Sequence, residues 1–196
     1  MVDKAVVVYF TFSDQIRENS FEAIQILKKA GIKNLLLTGD NEKVAKKVSD
    51  ELNMDGFLTN VLPHVKLEKV KQLQEKGEYV AMTGYGENDA TALAQADVGI
   101  AVGSGTDVAA ETADIILVNS NPKDIANLIL IGKATYNKMI QNLWWAAGYN
   151  IIAIPLAAGV LYYWNIMLSL SIGAVLMSLS TIVVAMNAQL LKRKLA

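Results

Sequence analysis

Tyr79-Val80-Ala81-Met82-Thr83-Gly84-Tyr85-Gly86-Glu87-Asn88-Asp89 decides the fold. Its apolar opening, residues 79–82, reads as a buried strand. Two glycines then break the run, and Asp89 opens a helix over residues 89–96. The same grammar recurs on both sides of it. Residues 5–10, 34–37, 98–102 and 115–118 are short runs rich in Val, Ile and Leu, as buried parallel strands are. Residues 20–30, 42–53 and 67–75 have helical spacing between them; Ser20 is a candidate N-cap and Gly31 falls just past the end of the first. Strand, helix and strand in alternation predict an α/β domain with a doubly wound parallel sheet.

The other end of the chain obeys a different rule. Of 196 residues, 18 are Lys or Arg and 19 Asp or Glu, yet none lies between Met139 and Leu191, a run of 53. A single soluble domain does not carry such a run. The net charge of −1 argues against nucleic acid as a partner, and the absence of Cys excludes disulfides and thiolate chemistry. At about 1.5 Å per residue, a layer of roughly 30 Å needs about 20 helical residues, so the run predicts two membrane spans, 142–164 and 166–188. Tyr162, Tyr163, Trp164 and Asn165 mark the turn at one interface; Trp144 and Trp145 mark the other. Lys133 and Lys138 precede the spans and Lys192, Arg193 and Lys194 follow them, which places both termini and the soluble part in the cytoplasm of a multi-pass protein of the cell membrane. Residues 1–5 lack a signal-peptide pattern. The expected organisation is 1–121 soluble, 122–141 a connecting stalk helix continuous with the first span, the two spans, and 189–196 a basic tail. A helical hairpin buried in a soluble protein is the alternative, and no soluble core is present to cover it.

Ligands of a doubly wound sheet sit at the carboxyl ends of its strands, and three polar clusters fall there. Thr38-Gly39-Asp40-Asn41 can hold a phosphoryl oxygen with a hydroxyl and backbone N–H groups, or can be a turn in which Asp40 or Asn41 caps the next helix. Lys66, after Pro63-His64-Val65 and before a helix, can set a fixed positive charge against a transferring group, or be a solvated surface residue. Gly84, Gly86, Asn88 and Asp89 make a close-approach turn in which Asp89 can hold Mg²⁺, or a helix cap. Gly103-Ser104-Gly105-Thr106-Asp107 is a weak nucleotide-loop signal, and His64, the only His, is structural.

In order and spacing these clusters, followed by Ala92-Leu93-Ala94-Gln95-Ala96-Asp97-Val98-Gly99-Ile100-Ala101, resemble the phosphorylation domain of P-type ATPases, a haloacid-dehalogenase-like (Rossmann-like) fold. The apolar part resembles the copper-transporting, CopB-like branch: Asn142, Gly148-Tyr149-Asn150 and Pro155 in one span, Met177-Ser178-Leu179-Ser180-Thr181 and Asn187 in the next, with Leu176 where that pattern has Pro. The resemblance implies the C-terminal part of a pump that uses ATP and Mg²⁺ to move copper or silver across a lipid bilayer. Thr38, Gly39, Asp40 and Lys66 would then meet the phosphoryl group, with Gly84, Gly86, Asn88 and Asp89 at the Mg²⁺ side. Tyr149, Asn150, Met177, Ser178, Ser180 and Thr181 would form the metal path. Thioether sulfur suits Cu(I) and oxygen donors suit harder ions, although Ser, Thr, Asn and Gly also serve helix packing.

Two departures set limits. The Asp-Lys-Thr-Gly-Thr strand that carries the phosphorylated Asp does not occur here, and the nucleotide-binding domain and the front membrane helices with their Cys-Pro-His site are absent too. The family's second Mg²⁺ carboxylate is Tyr85 here, whose phenol is a poor Mg²⁺ ligand. The chain alone is therefore expected to be inactive and to need the missing N-terminal part of the pump as partner. Two other classes remain: a non-catalytic truncated copy that binds metal or a partner, and a membrane-tethered phosphatase of this fold that would use Asp14.

Overall fold

The structure, a computed structural model, describes residues 15–103, 107–164 and 169–195, and falls into two units, Met1–Asn127 and Leu128–Ala196. In the first, helices and strands alternate: α1 (Ser20–Lys29), β1 (Leu35–Leu37), α2 (Glu42–Leu52), β2 (Gly56–Leu58), α3 (Pro63–Glu75), β3 (Ala81–Gly84), α4 (Ala90–Gln95), β4 (Val98–Val102), α5 (Asp107–Thr112) and β5 (Ile115–Leu117). Every pairing is parallel, as expected. Among the described residues the strands form two sheets, β1-β2 and β3-β4-β5. The expected strand at residues 5–10 lies outside the described residues, as does Asp14.

The core explains why these runs became strands. Leu93 and Ile100 are fully buried, and each such burial stabilises by roughly 1.5–3 kcal/mol. Val70 of α3, Met82 of β3, Ala92 and Leu93 of α4 and Ala109 of α5 form one cluster, with Leu37 of β1 packed against it. Gly99 must be glycine for this packing: a Cβ there would lie 2.6 Å from the Leu93 carbonyl oxygen.

The strand starts share one device. Asp55, Asp97 and Asp114 each immediately precede a strand, and each carboxylate accepts a backbone N–H at the start of the neighbouring strand. The donors are Asn34, Val80 and Gly99, all at 2.8 Å. The Asn34 amide, with Lys28 3.2 Å away, holds the Asp55 carboxyl below the usual carboxylate range against the opposing effect of burial.

Several boundaries differ from expectation for local reasons. Ser20 is the first residue of α1 rather than its cap; Asn19 precedes it in a left-handed conformation (φ 68°) without capping through its side chain. Gly31 does end α1 at φ 79°, with the Ile32 N–H donating to the Leu27 carbonyl. Helix α3 starts at Pro63, which suits a first helical position, so Lys66 sits inside its first turn and not before the helix.

Helix α6 (Pro122–Ala157) starts in the first unit and belongs to the second from Leu128 onward, and α7 runs over Leu170–Leu195. One helix among the described residues is long and apolar enough to cross a membrane, at Ser171–Leu191. The expected span at 142–164 is not one helix. It ends at Ala157, Gly159 turns left-handed (φ 83°), the Val160 N–H reaches the Pro155 carbonyl, and Tyr162–Trp164 form a 3-10 turn. Asn142, Tyr149 and Asn150 also make this stretch less apolar than α7. Residues 165–168, where the interhelical turn was expected, lie outside the described residues.

Candidate functional site: the carboxyl ends of β1 and β3

Beyond β1, the Thr38 N–H donates to the Leu58 carbonyl and the Val61 N–H to the Thr38 carbonyl, so this loop is stitched to β2. The Thr38 hydroxyl donates to Asp40 Oδ2 at 2.7 Å and accepts the Asp40 N–H at 3.1 Å. Asn41 is the helix cap, its Oδ1 accepting the Val44 N–H at 3.1 Å. Of the two readings of this cluster, the cap is present, and it leaves Thr38 and the first N–H groups of α2 at the strand end. Nothing around Gly39 requires glycine; the nearest atom to a Cβ there would be 3.9 Å away.

The second and third clusters meet. Lys66 Nζ lies 2.6 Å from Asp89 Oδ1, with only 14% and 13% of the two side chains exposed. Such burial excludes the solvated-surface reading of Lys66. Asp89 Oδ2 faces the Tyr85 and Gly86 N–H groups at 3.4 and 3.5 Å, the long end of hydrogen bonding. The turn is built for this carboxylate: Gly86 starts a 3-10 turn over Glu87–Asp89, and a Cβ on Gly84 would lie 2.6–2.8 Å from Asp89 side-chain atoms. Asn88 is exposed. No described contact joins Thr38, Gly39 or Asp40 to the Lys66–Asp89 pair. Tyr85 is 66% exposed, and the Arg17 guanidinium lies 6.0 Å from its ring centre while donating to the Ser120 carbonyl at 2.9 Å. Sequence reasoning missed Arg17 beside Tyr85, since 68 residues separate the two.

For Mg²⁺ this pocket offers the Asp89 carboxylate, whose two oxygens already have protein partners. Among the described residues, no three His, Cys, Asp or Glu side chains gather anywhere to hold a metal.

The family model for haloacid dehalogenase-like hydrolases matches residues 1–97. Over 181 residues the chain is 60% identical to the copper-exporting P-type ATPase B of Archaeoglobus fulgidus, a match covering 92% of this chain and 26% of that protein. The chain is a P-type ATPase homologue. It is also 47% identical over 192 residues to the copper-exporting P-type ATPase B of Enterococcus hirae, covering 98% of this chain and 26% of that one. Among solved structures, a zinc-transporting PIB-type ATPase in its E2.Pi state matches at a TM-score of 0.78 and 34% identity over 91% of this chain and 28% of its own. The catalytic domain of the CPx-ATPase CopB-B matches at a TM-score of 0.57 and 40% identity over 60% of this chain and 46% of its own. The chain spans about a quarter of the length of the curated P-type ATPases it matches.

In this ATPase homologue the residues expected to pass the metal are dispersed among helix contacts. Tyr149 donates its hydroxyl to the Gly173 carbonyl at 3.0 Å, tying α6 to α7. Asn150 donates to the Ala146 carbonyl and Ser178 to the Ala174 carbonyl, each within its own helix. Ser180 and Thr181 both donate to the Met177 carbonyl, at 2.8 and 3.1 Å, while the Met177 side chain is exposed. These hydroxyl and amide hydrogens are thus directed at backbone carbonyls. Three residues outside the expected metal path join α6 to α7 more firmly: Lys138 donates to Asn187 Oδ1 and Asn187 Nδ2 to Asn142 Oδ1, both at 2.7 Å.

Proposed function

We propose that this chain is the C-terminal segment of a pump that exports copper or silver across the cell membrane at the expense of ATP. It would comprise the end of the phosphorylation domain (1–121), a stalk (122–141), two spans (142–164 and 166–188) and a basic tail (189–196). The observation that carries the reading is the 60% identity to a copper-exporting ATPase over 92% of the chain. The geometry supports it. Hydrogen bonding in both sheets alternates, so Leu35 and Leu37 on β1, and Ala81 and Thr83 on β3, direct backbone groups away from their paired neighbours. These edges suit a further parallel strand between β1 and β3, as an Asp-bearing strand from the rest of the pump would provide. Thr38 and Lys66, one from each side, would then face the phosphoryl group on that strand.

ATP would be bound and cleaved by parts that this chain lacks, which makes the front of the pump its required partner. In the membrane, Tyr149, Asn150, Met177, Ser178, Ser180 and Thr181 would supply oxygen and thioether donors along the path, with both termini cytoplasmic. The short helical part of the first span would be completed by its 3-10 turn.

The test is a chimera in which this chain, carrying Tyr85→Asp, replaces the matching segment of the A. fulgidus enzyme. Copper-stimulated ATP hydrolysis in liposomes, lost on adding Asn150→Ala and Met177→Ala, is the expected result. Hydrolysis indifferent to copper, or stimulation untouched by those two changes, would sink the transport reading.

A further inference from the structure

The P-type ATPase family implies Mg²⁺ at the turn after β3, and the residues here do not fit it. We infer that the pocket at Asp89 is closed to Mg²⁺ because the Lys66 ammonium is its resident cation. Four observations carry this, all independent of transport, so that its failure is distinct from that of the chimera.

First, Mg²⁺ needs six oxygens in octahedral array and is ordinarily held by one or two carboxylates together with waters and phosphate oxygens. Asp89 presents Oδ1 to Lys66 at 2.6 Å and Oδ2 to two backbone N–H groups. Second, the pair is screened from water on both sides, at 14% and 13% exposure, so an entering dication would have to expel an ammonium that has little solvent to move into. Third, the carboxylate has no room to shift toward Gly84. The Asp89 carboxylate lies against Gly84 so closely that even one added carbon would meet its side chain at 2.6 Å. Fourth, the adjoining position offers no second anion. Tyr85 turns its ring outward, 66% exposed, under the Arg17 guanidinium, which adds positive charge on that side.

In this chain the pocket therefore balances its charge internally, the Lys66 ammonium against the Asp89 carboxylate.

The experiment titrates the full chain in detergent with Mn²⁺, a Mg²⁺ surrogate whose free aquo ion is counted by its EPR signal. The set is wild type, Asp89→Asn, Lys66→Met, Lys66→Gln, Tyr85→Asp and the Lys66→Met/Tyr85→Asp double variant. Far-UV circular dichroism verifies that each is folded, and the two Lys66 variants back each other up. Wild type and Asp89→Asn are expected to coincide up to about 1 mM Mn²⁺, whereas removing Lys66, supplying a carboxylate at position 85, or both is expected to tighten binding about tenfold or more, to one ion per chain. Two results would overturn the inference. One is wild-type binding of an ion that Asp89→Asn abolishes. The other is failure of every folded Lys66 and Tyr85 variant to gain a site, which would mean that Lys66 excludes nothing.

Discussion

Removing Lys66 alone should hurt this fold more than removing Lys66 and Asp89 together. The pair is 2.6 Å apart, with 14% and 13% of the side chains exposed, so Lys66→Ala leaves a carboxylate with two long hydrogen bonds for company. Breaking a fully buried pair from one side costs about 3–5 kcal/mol, and the residual exposure here lowers that to about 2–4. The double variant Lys66→Ala/Asp89→Ala has no stranded charge and loses mainly packing and the weak turn contacts, about 1–2 kcal/mol. Lys66→Ala is then about 1.5 kcal/mol less stable than the double variant, which with a urea slope of about 1.5 kcal/mol/M separates their midpoints by about 1 M. The assay is urea unfolding of the full chain in detergent, followed by far-UV circular dichroism, on the four members of the cycle. A coupling below about 0.5 kcal/mol, the range of an exposed surface pair, would refute the picture of a shielded, self-neutralised pocket.

Gly99→Ala drives a Cβ to 2.6 Å from the Leu93 carbonyl oxygen and 3.1 Å from its carbon, both backbone atoms, so a loss of about 3 kcal/mol is expected in the same urea assay. Because Asp55 has its carboxyl lowered by the Asn34 amide, it contributes stability above its unfolded value of about 3.9, and loses it as pH falls through the lower folded value. Wild type should therefore exceed Asp55→Asn in urea midpoint at neutral pH and converge with it in acid; a constant gap would refute the assignment. Asn187→Ala breaks both interhelical bonds of the Lys138–Asn187–Asn142 chain and should cost about 1–2 kcal/mol, read as a lower thermal midpoint in detergent that a further Asn142→Ala barely changes.

Much of this was legible in the sequence, because burial leaves a strong trace there. The strand at Val98–Val102 is as expected, and β1 and β5 are within a residue of it, since each is an apolar run closed by polar or small residues. Strand β3 begins two residues later than its apolar run, at Ala81, and extends through Thr83 and Gly84, because pairing with β4 and not apolarity sets its ends. Strand β2 was missed: Gly56-Phe57-Leu58 is too short to show a period, and only its partner β1 makes it a strand. Helix α5 was missed for a related reason, its start being hidden behind a glycine-rich run. At the site, the types and positions of Thr38, Lys66 and Asp89 were readable. Their pairing was not, because 23 residues separate Lys66 from Asp89 and no local pattern couples them.

The acidic residues show why partners must be assigned before chemistry is. Asp55, Asp97 and Asp114 look alike in sequence, each standing just before an apolar run, and all three hold a backbone amide at the start of a neighbouring strand. Such end contacts add to the hydrophobic pattern that sets register, in which a slip of one residue would turn every side chain to the other face. Asp40 is occupied by Thr38, and Asp89 by Lys66. What distinguishes Asp89 is that its shortest contact, at 2.6 Å, is to a cation at the tip of a long side chain, while its backbone amide contacts are long. A strand-end carboxylate is held at 2.8 Å by an amide fixed in the backbone; the shortest hold on the Asp89 carboxylate comes from one lysine. The pocket's chemistry therefore turns on where Lys66 points, and Tyr85 beside it removes the second negative charge that would draw a metal in its place.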